Sequence, residues 1–212
     1  MSEQMDELIL SQSRLLDVCR LEKIKSASSY ICGMLIPTLL WAWDAHNVLE
    51  IGVYRGYTSL AIGMSLEMMG GERDFRLCDI EPDRLSTAQA LVRKHAPHVH
   101  VDASLGDSRH IEWSDLMRID FAYIDGNHSY RSARADLARV MPAMSDRSAI
   151  LVHDYTTPHH AGVVKAVNEA VANDPSWCFI PIPAHTGKPV ALIASSVPGG
   201  LDYCGVSGEM EV

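Results

Sequence analysis

Five short apolar runs, Asn47–Ile51, Phe75–Asp79, Val99–Asp102, Phe121–Asp125 and Ala149–Val152, recur along the chain with helical stretches between them. Each run is mostly apolar on both faces, as a parallel strand covered by helices on either side needs to be. The intervening stretches, residues 58–69, 83–95, 129–141 and 160–172, carry apolar side chains at helical spacing, as in Val163, Val164, Val167 and Val171. Strand–helix alternation of this kind predicts an α/β fold, a doubly wound, Rossmann-like sheet that is mostly parallel. Thr58 or Ser59 is expected to cap the first of these helices and Gly70-Gly71 to stop it, while Asp83 follows Pro82 at the start of the next. Trp177–Ile182 and Pro189–Ala194, joined by a short segment containing Gly187, predict a C-terminal antiparallel hairpin. Ahead of the sheet, residues 3–25 predict an amphipathic helix, and residues 28–43 a more buried one, bent or started near Pro37.

The chain of 212 residues is long enough for one domain with a full core. The expected organisation is N-terminal helices over residues 1–44, a ligand-binding domain over 45–197 and a Gly-containing flexible tail over 198–212. A net charge of −9 argues against nucleic-acid and membrane-surface partners. The longest uncharged apolar stretch, Tyr30–Trp43, is 14 residues and contains Pro37, too short to span a bilayer. The start, MSEQMDELIL, lacks the basic region and apolar run of a signal peptide. Cys19, Cys32, Cys78, Cys178 and Cys204 are scattered and form no C-x-x-C pair, so neither a disulfide framework nor a zinc site is expected. A cytoplasmic protein is the expectation.

In a doubly wound sheet, ligands bind beyond the carboxyl ends of the strands, so the residues just after each strand carry the information. After the first run comes Glu50-Ile51-Gly52-Val53-Tyr54-Arg55-Gly56-Tyr57-Thr58. Its glycines permit a tight turn and a close backbone approach. The spacing is G-x-x-x-G, not G-x-G-x-x-G, and no P-loop lysine follows, which disfavours a dinucleotide or a triphosphate. After the second run, Asp79-Ile80 places a carboxylate where it can accept from both hydroxyls of a ribose. After the third, Asp107 and Ser108 stand where an adenine edge would lie.

VLEIGVYRGYTSLAIG, CDIEPD and LGDS, in this order and spacing, resemble the successive motifs of class I S-adenosylmethionine-dependent methyltransferases. The resemblance covers roughly residues 45–195. It implies that Glu50, Gly52, Tyr54, Gly56 and Thr58 form the turn that holds the methionine portion, that Asp79 with Ile80 takes the ribose, and that Asp107 and Ser108 sit near the adenine.

The fourth and fifth strands end in Ile124-Asp125-Gly126-Asn127-His128 and Val152-His153-Asp154-Tyr155. One crossover separates them, so these strands should lie side by side, about 4.8 Å apart, and bring both aspartates to one sheet edge. Two carboxylates so placed raise each other's pKa unless a cation lies between them, and hard oxygen ligands suit Mg²⁺. IDGNHSY and HDY resemble the divalent-metal-dependent O-methyltransferases, in particular the branch with macrolide-sugar O-methyltransferases and cephalosporin hydroxylase-like proteins, related to the catechol enzymes. That resemblance implies Asp125 and Asp154 as metal ligands, Asp125 also as a donor contact, and His128 as general base. Where relatives place Glu or Asn beside the second aspartate, this chain has His153 and Tyr155. His153 is the candidate third ligand, one softer than a carboxylate; the expected metal is Mg²⁺, with Mn²⁺ or Fe²⁺ as alternatives that tolerate imidazole better.

The bland readings are that Asp125 caps the next helix and that His128 is a surface residue. His159 and His160 read as loop or helix-start residues, and Trp41, Trp43, Met64, Met68 and Met69 as core or subunit contacts. The expected function is metal-assisted methyl transfer to a hydroxyl of a small phenolic, sugar-like or other natural product, a step of secondary metabolism. The N-terminal helices border the acceptor or serve as a homodimer contact. The alternatives are metal-independent N- or S-methyl transfer and a non-catalytic S-adenosylmethionine-binding protein.

Overall fold

The computed structural model describes residues 13–22, 34–111, 118–156, 158–183 and 189–195. Every expected strand is present: β1 (Asn47–Ile51), β2 (Asp74–Asp79), β3 (His100–Leu105), β4 (Ile119–Ile124), β5 (Met144–Val152), β6 (Cys178–Ile182) and β7 (Val190–Ala194). They form one sheet in the order β3-β2-β1-β4-β5-β7-β6. Strands β1 to β5 run parallel, and β7 is antiparallel to both β5 and β6. The chain leaves β1 outward through β2 and β3, then returns to pair β4 on the other side of β1. That reversal opens a crevice above the carboxyl ends of β1 and β4.

Both faces of the central strands are covered, which explains their apolar runs. Along β1, Val48 packs into one core with Phe75, Leu77, Phe121 and Tyr123, while Leu49 and Ile51 pack into the other with Ala122, Ile124 and Ile150. This is the two-residue alternation of a strand buried on both sides. The first core is closed by α2 (Ile36–Trp43), α3 (Tyr57–Met69) and α4 (Pro82–His95), and the second by α5 (Tyr130–Val140) and α6 (Ala161–Ala172). A helix over residues 13–21, α1, sets Leu15 and Cys19 against Tyr57, Leu60 and Ala61 of α3. Trp43 and Met69 join the first core, as expected of core residues. Among the described residues no helix is long and apolar enough to cross a membrane. The expected N-terminal helical residues 3–12 and 23–33, the hairpin turn at 184–188 and the tail at 198–212 lie outside the described residues.

The helix starts carry one correction. Neither Thr58 nor Ser59 caps α3. The cap is Gly56, at φ 76°, and the helix begins at Tyr57. A Cβ at Gly56 would stand 3.1 Å from the Ala88 Cα, so the glycine lets α3 start against α4. Ser59 is thereby turned fully inward. Ser129 caps α5 by accepting from the Ser132 N–H, so Asp125 is not the cap and its carboxylate remains available at the sheet edge. Helix α2 starts next to Pro37, α4 at Pro82 in its first turn, and Gly70 ends α3 at φ 67°.

Candidate active site

Backbone hydrogen bonds continue the ladder past the ends of the strands. Gly52 N–H donates to Cys78 O at 2.8 Å, Asp125 N–H to Ile51 O at 2.8 Å and His153 N–H to Ile124 O at 2.9 Å. The residues that follow β1, β4 and β5 are therefore fixed as firmly as the sheet. Gly52 sits at φ 87°, and a Cβ there would fall 2.2 Å from Asp125 O. Only glycine lets the β1 turn press against the end of β4. Tyr54 takes the left-handed conformation at φ 45°, a costly one for a non-glycine residue. Its exposed ring lies 5.3 Å from the guanidinium carbons of both Arg55 and Arg84.

Asp79 organises the turn. Its Oδ2 accepts from Val53 N–H at 3.0 Å and Tyr54 N–H at 3.4 Å, and its Oδ1 from Glu81 N–H at 2.9 Å. A cavity of about 490 Å³ opens above these residues. Gly52, Tyr54, Asp79, Ile80, Asp107 and Ser108 line it on the donor side expected from the sequence, and Asp125, His128, His153 and Asp154 line it beyond. Glu50, Gly56 and Thr58 are not among its lining residues. Glu50 is fully buried under the turn. Burial, only partly offset by the Ser59 hydroxyl, pushes its carboxyl up to about 8.

Asp107 reaches the cavity already engaged. It accepts from the Arg109 backbone N–H at 3.0 Å and from Arg109 Nε at 2.9 Å, and this guanidinium holds its carboxyl down at about 2. The Ser108 hydroxyl donates to Asp136 Oδ1 at 2.6 Å. Asp136, on α5, was not legible as a site residue, nor were the lining residues Arg84 and Ser132. They come from helices whose inward faces only the folded sheet defines.

At the other end, four side chains converge. One donor atom from each of Asp125, His128, His153 and Asp154 lies within 4.8 Å of the others. His128 Nε2 stands 3.2 Å from Asp125 Oδ1 and 3.6 Å from Asp154 Oδ2. His153 Nδ1 stands 3.1 Å and 3.5 Å from the same two oxygens. Asp154 holds its place at φ 54°. Burial alone would lower the His153 pKa, but the two carboxylates outweigh it and push the imidazole up to about 9. Burial likewise would raise Asp125, and the two imidazoles instead bring it below its usual range. His128 is raised by the Asp125 hydrogen bond.

His160, read from the sequence as a loop or helix-start residue, is both a helix start and a member of this group. It is the α6 N-cap with no side-chain capping bond, its Nε2 lies 3.5 Å from Asp154 Oδ2, and its ring meets His128 edge-on at 4.5 Å. The signal that could have found it was its place in the loop after β5.

The arrangement sets a cavity lined by strand-end and helix residues beside a cluster of two carboxylates and two imidazoles at the switch point. The profile of a family described as a methyltransferase domain matches residues 49–155, half of the chain. No curated protein matches the sequence significantly. The fold is similar to that of an O-methyltransferase from Bacillus cereus in complex with SAH, at 13% identity over 87% of this chain and 90% of that one, with a TM-score of 0.65. It is also similar to the O-methyltransferase TomG from Streptomyces achromogenes, at 16% identity over 89% and 90% of the two chains and a TM-score of 0.63. A third similar structure is the SAH-bound methyltransferase PaMTH1 of Podospora anserina, at 16% identity over 89% and 87% and a TM-score of 0.58. The chain belongs to the methyltransferase-domain family, and its fold is similar to that of methyltransferases with SAH or SAM bound.

Proposed function

We propose that the protein transfers a methyl group from S-adenosylmethionine to a hydroxyl of a small metabolite, assisted by a divalent cation. The observation that carries this reading is the convergence of Asp125, His128, His153 and Asp154 on one point beside the donor cavity. The two similar O-methyltransferases, one with SAH and one with SAM bound, support the donor and the class of acceptor atom, and the SAH-bound methyltransferase PaMTH1 supports the donor.

The donor set suits a divalent ion: two hard carboxylates and a buried imidazole, each already held by its neighbours. Asp125, Asp154 and His153 would hold it, and the imidazole favours Mn²⁺ or Fe²⁺ over Mg²⁺. A cation bound there supplies Lewis-acid polarisation that acidifies the acceptor hydroxyl. Of the four side chains, His128 is the most open to the cavity, at 35% exposed against 2% for His153. It accepts the hydroxyl proton. His160, edge-on to His128, limits the orientations of that ring. Asp79 and the Gly52 turn orient the donor so that acceptor oxygen, methyl and sulfur lie in line.

The test is turnover of S-adenosylmethionine with a panel of catechols and hydroxylated sugars, before and after EDTA, with Mg²⁺, Mn²⁺ or Fe²⁺ restored. Activity is expected to vanish in EDTA and to return with the metal. A second reading, metal-independent transfer, draws on the same geometry, because both imidazoles are paired with carboxylates and balance their charge without a cation. Rates unchanged by EDTA would select it.

A further inference from the structure

Asp136 sits in the wall of the donor cavity and is 2% exposed. It comes from α5, not from a strand end, and the donor-binding motifs do not include it. Its Oδ1 takes the Ser108 hydroxyl at 2.6 Å, which ties α5 to the loop after β3. Its Oδ2 faces Gly126, where an added Cβ would stand 3.3 Å away. A side chain at that position would cover the oxygen. Glycine leaves it open to the cavity. Burial pushes the carboxyl up to about 6, a group short of hydrogen-bond donors in its surroundings. Asp107, expected at the adenine, already has its carboxylate bound by the Arg109 guanidinium and backbone N–H.

We infer that Asp136 sets the specificity for the base of the methyl donor, its Oδ2 accepting a hydrogen bond from the exocyclic amino group of adenine. The inference rests on the placement of the donor given above, with its base beside Ser108. A carboxylate oxygen offers no hydrogen to a base. An amino group at the purine 6-position satisfies it, whereas a 6-oxo group sets two acceptors against each other in a buried site. Sites built on such pairing reject the analogue that lacks the donor strongly.

The experiment is calorimetric titration of the full chain with S-adenosylhomocysteine and with S-inosylhomocysteine, which differ at that one group. The wild type is expected to prefer the adenosyl compound by about tenfold or more. Asp136→Asn, whose amide can turn to donate or accept, is expected to bring the two affinities close together. Ser108→Ala keeps the carboxylate and should keep the preference. Equal binding of both compounds by the wild type would overturn the inference, and so would an equal weakening of both in Asp136→Asn, the mark of a merely structural contact. Loss of the preference in Ser108→Ala would transfer the role to Ser108. If Asp136→Asn does not fold, the wild-type ratio and Ser108→Ala still decide. Failure of the wild type to bind S-adenosylhomocysteine at all is a separate result, and it removes the donor assignment itself.

Discussion

Asp79 is tied to the backbone in a way that its position in the sequence does not show. It was expected to hold a ribose, and its two oxygens also take three backbone N–H groups from the β1 turn and the start of α4. Asp79→Ala is therefore expected to weaken S-adenosylhomocysteine binding by about 1.5–3 kcal/mol and to lower the stability of the unliganded protein as well, because the orphaned amides lose a charged acceptor. Calorimetry and denaturant unfolding of the same variant separate the two losses; a change in affinity with unchanged stability would show that the amides find other partners. Glu50 makes a pH prediction. Its carboxyl is raised from 4.5 to about 8, so the native state holds a proton that the unfolded state releases. This contribution is complete below the unfolded value and is lost as pH rises towards the folded value. Glu50→Gln needs no such proton. Its melting temperature relative to the wild type should climb between these two pH values and level off above them, as differential scanning calorimetry at a series of pH values can check. A difference that shrinks with rising pH would mean that Glu50 is ionised in the native state.

At the scale of elements, the strands and helices were legible because burial on both sheet faces writes itself as apolar runs, and helix faces as periodic ones. Their ends were less so. The cap of α3 was misplaced because Thr58 and Ser59 have the chemistry of caps, while the actual cap depends on Gly56 meeting Ala88 across thirty-odd residues of chain. The strand-end rule located Asp79, Asp125, His128, His153 and Asp154, since each ends a strand or follows one within a few residues. It could not reach Asp136, whose place in the cavity wall is set by how α5 packs; His160 lies in the loop after β5 but has the look of a helix start, which α6 makes it. The β1 turn gives this scale its test. Gly52→Ala places a methyl group 2.2 Å from Asp125 O in a left-handed conformation. The clash falls between two strand ends and cannot be relieved by a side-chain rotation. Expected are a loss of donor binding of at least tenfold and a destabilisation of about 1–3 kcal/mol, read by calorimetry and urea unfolding. Wild-type affinity in this variant would show that the turn does not shape the donor cavity.

For the whole molecule, the sheet is a frame that sets the two proposed ligand sites side by side, so occupancy of either should stabilise the global fold. S-adenosylhomocysteine at a hundred times its Kd adds about 2.7 kcal/mol, which for a chain of this length is a rise of about 5–11 °C in Tm. The second site responds separately. Asp125 and Asp154 reach it from neighbouring parallel strands, β4 and β5, and a divalent ion that binds the native arrangement and not the unfolded chain must raise Tm in proportion to the logarithm of its concentration. Mn²⁺ is expected to do so in the wild type and not in Asp154→Asn, while both proteins keep the full shift with S-adenosylhomocysteine. The paired measurement matters because Asp154 also neighbours three imidazoles. A variant that merely loosened the site would lose both responses, and one that lost a ligand would lose only the metal's. If Mn²⁺ leaves the wild-type Tm unmoved across millimolar concentrations, the carboxylates and imidazoles answer only to one another, and the transfer runs without a cation.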